Sequence, residues 1–144
     1  DPELDMATAA NPLEPNDPVV TDPNVVKVVV AGNGRALFFS RSAIPYHRGD
    51  ASRLETDFRA QLDGRAGGLG GYRKHQGISA YTRKALADMT RLPRSPLERD
   101  EGLEQLRALE AGWTIRIVDS DFRSQGVDTP ADLERVARIL TEAN

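Results

Sequence analysis

Apolar residues recur along this chain at two spacings, one suited to strands and one to helices. Residues 25–30 read Val-Val-Lys-Val-Val-Val, a β-branched run broken only by Lys27. Such a run predicts a buried strand, and Ala31-Gly32-Asn33-Gly34 stops it. Residues 36–40 form the next apolar run. The Asn-Gly between the two predicts a hairpin with antiparallel pairing. Met6-Ala7-Thr8-Ala9-Ala10 predicts a short buried strand that ends at Asn11-Pro12. Residues 76–81 and 114–118 read as two more strands, the second with Ile115 and Ile117 on one face.

Helical spacing appears elsewhere. Residues 53–61 and 82–90 predict short helices, and Leu92-Pro93 breaks the second. Ser95, Pro96 and Glu98 make an N-cap, an N1 proline and an N3 acid, the arrangement of a capping box. That start predicts a longer helix over 95–111 that ends at Gly112, with Leu103, Leu106 and Leu109 as its buried stripe. A last helix is expected from Pro130 to about Thr141, with Leu133, Val136, Ala137 and Leu140 inward. Residues 14–23 carry Pro15, Pro18 and Pro23 and predict a surface connection. Gly67-Gly68-Leu69-Gly70-Gly71 reads as a flexible tip, since it lacks the Gly-Lys-Ser/Thr ending of a phosphate loop.

Strands that pair locally and strands separated by helices together predict an α/β chain. The expected architecture is part of a Rossmann-like layer with an antiparallel β excursion. A length of 144 residues suits one domain with a real core. The net charge of −3, with basic residues mostly interleaved among acids, speaks against a nucleic-acid partner. No cysteine is present, so disulfides, thiolate metal sites and cysteine nucleophiles are excluded. That absence fits a cytoplasmic protein. No apolar run approaches the ~20 residues that span a bilayer.

The most informative stretch is Gly126-Val127-Asp128-Thr129-Pro130-Ala131-Asp132. Thr129 is a good N-cap and Pro130 sits at N1, so Asp128 is held in a turn just outside a helix start. A carboxylate so placed suits a magnesium or phosphate-handling site. On this stretch alone a well-made helix start explains the same residues.

Further segments join it in order: Val25-Val26-Lys27-Val28-Val29, Ala36-Leu37-Phe38-Phe39-Ser40-Arg41 with Ile44-Pro45-Tyr46, Lys74-His75-Gln76-Gly77-Ile78 with Ala80-Tyr81, and Ser95-Pro96-Leu97-Glu98 with Glu101 and Leu103-Glu104-Gln105-Leu106-Arg107. Together with Asp5-Met6-Ala7-Thr8 and the Asp128 turn, they resemble the C-terminal part of the 3-deoxy-manno-octulosonate (Kdo) cytidylyltransferases, the CMP-Kdo synthetases. The resemblance implies the C-terminal half of a three-layer nucleotide-diphospho-sugar transferase fold. The family's nucleotide loop and first acidic metal segment have no counterpart in these residues, so residues 1–144 are expected to supply sugar binding and dimer contact.

The activity so implied is transfer of a cytidylyl group from CTP to Kdo, giving CMP-Kdo and pyrophosphate for lipopolysaccharide synthesis, with Mg²⁺ and as a homodimer. By the resemblance Asp128 matches the metal-binding, catalytic aspartate, while Arg41, His75, Glu104 and Gln105 match sugar-binding residues. Ser79 stands where the family usually has tyrosine, with Tyr81 on the same strand face. That departure leaves three readings beside the first: an 8-amino form of Kdo, a sialic-acid enzyme, or a noncatalytic sugar-binding or dimerisation remnant. Without the resemblance, Arg41 reads as a surface arginine, His75 as a structural histidine, and Glu104 and Gln105 as a solvated helix face. Glu98 and Glu101 read as capping and surface residues.

Overall fold

The computed structural model describes residues 4–49, 71–120, 127 and 130–142. Five strands form one mixed sheet: β1 (Met6–Pro12), β2 (Lys27–Val30), β3 (Ala36–Ser40), β4 (Arg73–Tyr81) and β5 (Ile115–Asp119), in the spatial order β3-β2-β4-β1-β5. Only β1 and β5 run parallel, with Met6 opposite Ile115 and Thr8 opposite Ile117. The other pairings are antiparallel. The helices are α1 (Arg83–Met89), α2 (Pro96–Glu101), α3 (Gln105–Glu110) and α4 (Pro130–Glu142). The α/β class and the antiparallel excursion are as the apolar pattern predicts.

The expected hairpin is β2 and β3, joined through Val28 opposite Phe39. Its tip reaches β5, where the Ile117 N–H donates to the Gly34 carbonyl at 2.9 Å. The Arg116 guanidinium lies against the same turn and donates to the Asn33 carbonyl at 2.7 Å. Gly34 has φ of 80°, and a Cβ there would come within 3.0 Å of Arg116. Backbone conformation and crowding therefore both ask for glycine.

Met6, Ala10, Val28, Phe39 and Ile115 line the core from the sheet, and Met89 of α1, Leu106 of α3 and Leu103, between α2 and α3, cover it. Thr82 caps α1 by accepting from the Ala85 N–H at 3.1 Å. At the shared end of three strands Gln76 donates to Asn11, Asn11 to the Ser120 carbonyl, and Arg73 pairs with Asp119.

Two expectations need correction. The helix over 95–111 is two helices, α2 and α3. Gly102 ends α2 in the left-handed region at φ 65°, so the chain turns there although the leucine spacing runs on. Leu103 and Leu106 are buried all the same. The apolar residues of α4 do not point inward: Leu133, Ile139 and Leu140 are exposed. Amphipathic spacing marks an apolar face without saying where that face points. The expected helix over 53–61 and the glycines 67–70 lie outside the described residues.

Candidate functional site

β4 carries an irregularity where the candidate residues lie. Thr8 pairs with Ser79 and Ala10 with His75, so Gln76, Gly77 and Ile78 all lie opposite Ala9. The bulge turns three backbone units out of the ladder, and their polar groups need partners. The buried hydroxyl of Thr8 reaches two of the carbonyls. Its Oγ1 lies 2.6 Å from the Ile78 carbonyl, 3.3 Å from the Gln76 carbonyl and 2.8 Å from Nε2 of His75.

That geometry assigns the tautomer of His75. A hydroxyl has one proton. At 2.6 Å from a carbonyl oxygen that proton must lie between the two oxygens, so Thr8 donates to Ile78. Nε2 of His75 then carries a hydrogen and donates to Thr8, which leaves Nδ1 as the ring's acceptor. The ring meets Phe39 edge-on, with centroids 5.0 Å apart. Burial pushes the His75 pKa down to about 4, so the imidazole is neutral near pH 7. A group this weakly basic is a hydrogen-bonding residue rather than a general base. Gly77 faces open space, with nothing within 4 Å of a Cβ placed there.

Beyond the bulge, Ser79 is exposed and Tyr81 is partly buried. Burial raises the Tyr81 pKa, and the nearby charge of Glu104 adds to that, while a hydrogen bond with Ser79 opposes it. Ser79, Tyr81 and Glu104 are therefore neighbours. Glu104 is exposed at the N-cap of α3, where its side chain makes no capping bond. Gln105, the first residue of α3, is 6% exposed.

Arg41 follows β3 and lies across the C-terminal end of α2. Its Nε donates to the Glu101 carbonyl at 2.8 Å and its Nη1 to the Pro23 carbonyl at 2.9 Å. A cation at that end also complements the helix dipole. The Glu101 carboxylate accepts from Ser40 Oγ at 2.6 Å and from the Arg41 backbone N–H at 2.9 Å. Lys27, fully buried, donates from Nζ to the carbonyls of Asp22, Val25 and Arg41 at 2.8, 2.6 and 2.6 Å. Burial lowers its pKa, opposed by the charges of Asp22 and Glu101.

The α2–α3 junction thus acts on both halves of the candidate set, on Arg41 through hydrogen bonds to Glu101 and on Tyr81 through the charge of Glu104. His75 joins them through Phe39, two residues before Arg41. Asp128 lies outside the described residues. Among the described residues no group of three or more His, Asp or Glu side chains is arranged to hold a metal ion. Glu101 is not the surface residue expected: it clamps the end of β3. Glu98 does cap α2, but it is buried and paired with both Nε and Nη2 of Arg107, at 2.7 and 2.5 Å. Three contributors were not foreseen from sequence. A lysine inside an apolar strand was a legible sign for Lys27. Thr8 and Glu101 lie in the segments that carry the resemblance, but no local pattern gave either a holding role.

The family model described as Cytidylyltransferase matches residues 2–117. The chain belongs to the cytidylyltransferase family. Among curated members it is 47% identical over 140 residues to the 3-deoxy-manno-octulosonate cytidylyltransferase of Syntrophotalea carbinolica, covering 97% of this chain and 52% of that protein. The protein of that name from Solibacter usitatus is 43% identical over 141 residues, covering 97% of this chain and 49% of its own. The mitochondrial protein of that name from Arabidopsis thaliana is 35% identical over 143 residues, with 99% and 44% covered. A solved structure of CMP:2-keto-3-deoxy-manno-octonic acid synthetase complexed with CTP superposes with a TM-score of 0.80 at 38% identity. It covers all of this cytidylyltransferase chain and 52% of the other. The chain therefore spans about half the length of the curated relatives it matches.

Proposed function

We propose that this chain forms the sugar-binding portion of an enzyme that transfers a cytidylyl group from CTP to Kdo, giving CMP-Kdo and pyrophosphate. The observation that carries the reading is likeness along 97% of the chain to proteins of that name. The site chemistry supports it. Kdo is a polyhydroxylated acid, and the chain offers a guanidinium for a carboxylate, a neutral imidazole Nδ1 as a hydroxyl acceptor, and an acid and an amide at Glu104 and Gln105. Ser79 and Tyr81 add hydroxyl groups beside Glu104.

In the reaction the sugar's anomeric hydroxyl attacks the α-phosphorus of CTP. The bond from that phosphorus to the bridging oxygen breaks, pyrophosphate leaves, and the hydroxyl's proton passes to water. The residues in hand bind and orient the acceptor: Arg41 holds the carboxylate, and His75 fixes a hydroxyl without taking its proton. Such positioning supplies much of the rate in transfers with little covalent work for the protein. Mg²⁺ bound in part by the Asp128 carboxylate would neutralise phosphate charge, as its hard oxygen donor suits that ion.

The proposal includes a homodimer, for which the exposed Leu133, Ile139 and Leu140 stripe offers apolar surface. It also includes the cytoplasm, where CTP is available. Ser79 bears on which acidic sugar is taken, because its small side chain leaves room beside Tyr81. The test is a competition among Kdo, its 8-amino form and a sialic acid, read as CMP-sugar formed by a polypeptide of the relatives' length carrying this sequence. Preference for Kdo supports the leading reading. Preference for the amino sugar moves the assignment to Ser79, and turnover of the sialic acid alone overturns it.

A further inference from the structure

We propose that Glu101 is a positioning residue that holds the Arg41 guanidinium ready for an anionic ligand, with Lys27 bracing the same residue from its carbonyl side. The inference rests on the sugar-binding reading of Arg41 and goes beyond it. Nearly every polar group of Arg41 is held before any ligand arrives. Its N–H meets the Glu101 carboxylate at 2.9 Å, its carbonyl meets Lys27 Nζ at 2.6 Å, and its Nε meets the Glu101 carbonyl at 2.8 Å. Nη1 meets the Pro23 carbonyl at 2.9 Å. Among the described residues Nη2 has no hydrogen-bond partner and is left for a ligand, and a Cβ on Gly102 would stand 4.0 Å from it.

A second arginine in the same fold shows what a structural role looks like. Arg107 gives Nε and Nη2 to the two oxygens of buried Glu98, and its charge is thereby neutralised. Arg41 differs. Its guanidinium bonds go to two neutral carbonyls, while the Glu101 carboxylate is occupied by Ser40 Oγ and a backbone N–H. The carboxylate therefore fixes the residue without forming a direct ion pair with the guanidinium. Asp22 and Glu101 together offset the buried charge of Lys27, while the Arg41 guanidinium itself touches only carbonyls and keeps its charge for an incoming carboxylate. Arginine is costly to immobilise, and fixing it beforehand removes that cost from ligand binding.

The test is a double-mutant cycle of Glu101→Gln and Arg41→Ala in a polypeptide of the relatives' length carrying this sequence. The amide keeps the shape but sets an N–H₂ against one of the two donors. Expected is a roughly tenfold rise in KM for Kdo with KM for CTP changed less than twofold, and no further rise when Arg41 is already alanine. Glu101→Asp, which keeps the charge, should recover part of the loss. If Glu101→Gln does not fold, Ser40→Ala, which removes the donor to Oε1, takes its place in the cycle with a smaller rise expected. Equal effects in both backgrounds, or an equal rise in KM for CTP, overturn the proposal. Absence of cytidylyl transfer to Kdo by the unsubstituted, folded enzyme is a different failure: it removes the sugar-binding reading itself.

Discussion

His75 should make the fold sensitive to acid in a window where most proteins are still comfortable. Its folded pKa is about 4 against an ordinary 6.5, and burial is the cause. Above pH 6.5 the imidazole is neutral in both folded and unfolded chains, so stability is fully present. Below it the unfolded chain takes up a proton that the folded chain refuses. Stability falls by about 1.4 kcal/mol per pH unit from pH 6.5 to about 4 and then levels off, roughly 3 kcal/mol in all. His75→Gln removes the titration and keeps an N–H₂ that can reach Thr8. The assay is urea unfolding of both proteins at intervals from pH 7.5 to 4. The difference between them cancels carboxylates that titrate in the same range. The unsubstituted chain should lose stability relative to His75→Gln as pH falls. Parallel stability curves, or an imidazole that titrates near 6.5 in the folded protein by NMR, would refute the reasoning. The chain has only two histidines, so the resonance is assigned by its absence in the variant.

Other consequences are as direct. Thr8→Val strips the Ile78 carbonyl and the His75 N–H of their partner and should cost about 3 kcal/mol in urea unfolding, while Thr8→Ser costs well under half of that. Gly102→Ala meets only an ordinary contact at 4.0 Å but must keep φ at 65°, so it should cost about 1 kcal/mol and lower the thermal midpoint by a few degrees. Glu98 has its pKa lowered to about 2, first by the hydrogen bond from Arg107, against an ordinary 4.5. Its contribution is therefore present above pH 4.5 and lost as pH falls toward 2. Glu98→Gln should be less stable at pH 7 and should lose this part of the acid sensitivity, as read by denaturation at pH 5, 4 and 3.

Much of the fold was legible because local rules and packing agreed. The Val-rich run, Asn33-Gly34 and the second apolar run name a hairpin, and β2 and β3 form it. Ser95 with Glu98 named a capping box, and the structure closes it on both sides. The illegible parts depend on contacts distant in sequence. Leucine spacing runs through Gly102 without a break, because a left-handed residue can turn the chain and still leave Leu103 and Leu106 buried. The apolar stripe of α4 is real, but a stripe does not say what covers it. In the candidate site, Arg41 and His75 were visible through resemblance. Their holders, Glu101 and Thr8, lie about 60 residues away along the chain, and no local pattern links them. Asp128, the metal-ligand candidate, lies outside the described residues.

The central claim is transfer to Kdo, and pyrophosphate release tests it most directly. A polypeptide of the relatives' length carrying this sequence is given CTP, Kdo and Mg²⁺, and pyrophosphate is followed with and without the metal. The account predicts release that needs both Kdo and Mg²⁺, is abolished by Asp128→Ala, and in Arg41→Ala requires far more Kdo. A folded protein that releases no pyrophosphate with Kdo, or that releases it unchanged after Asp128→Ala, would contradict the account.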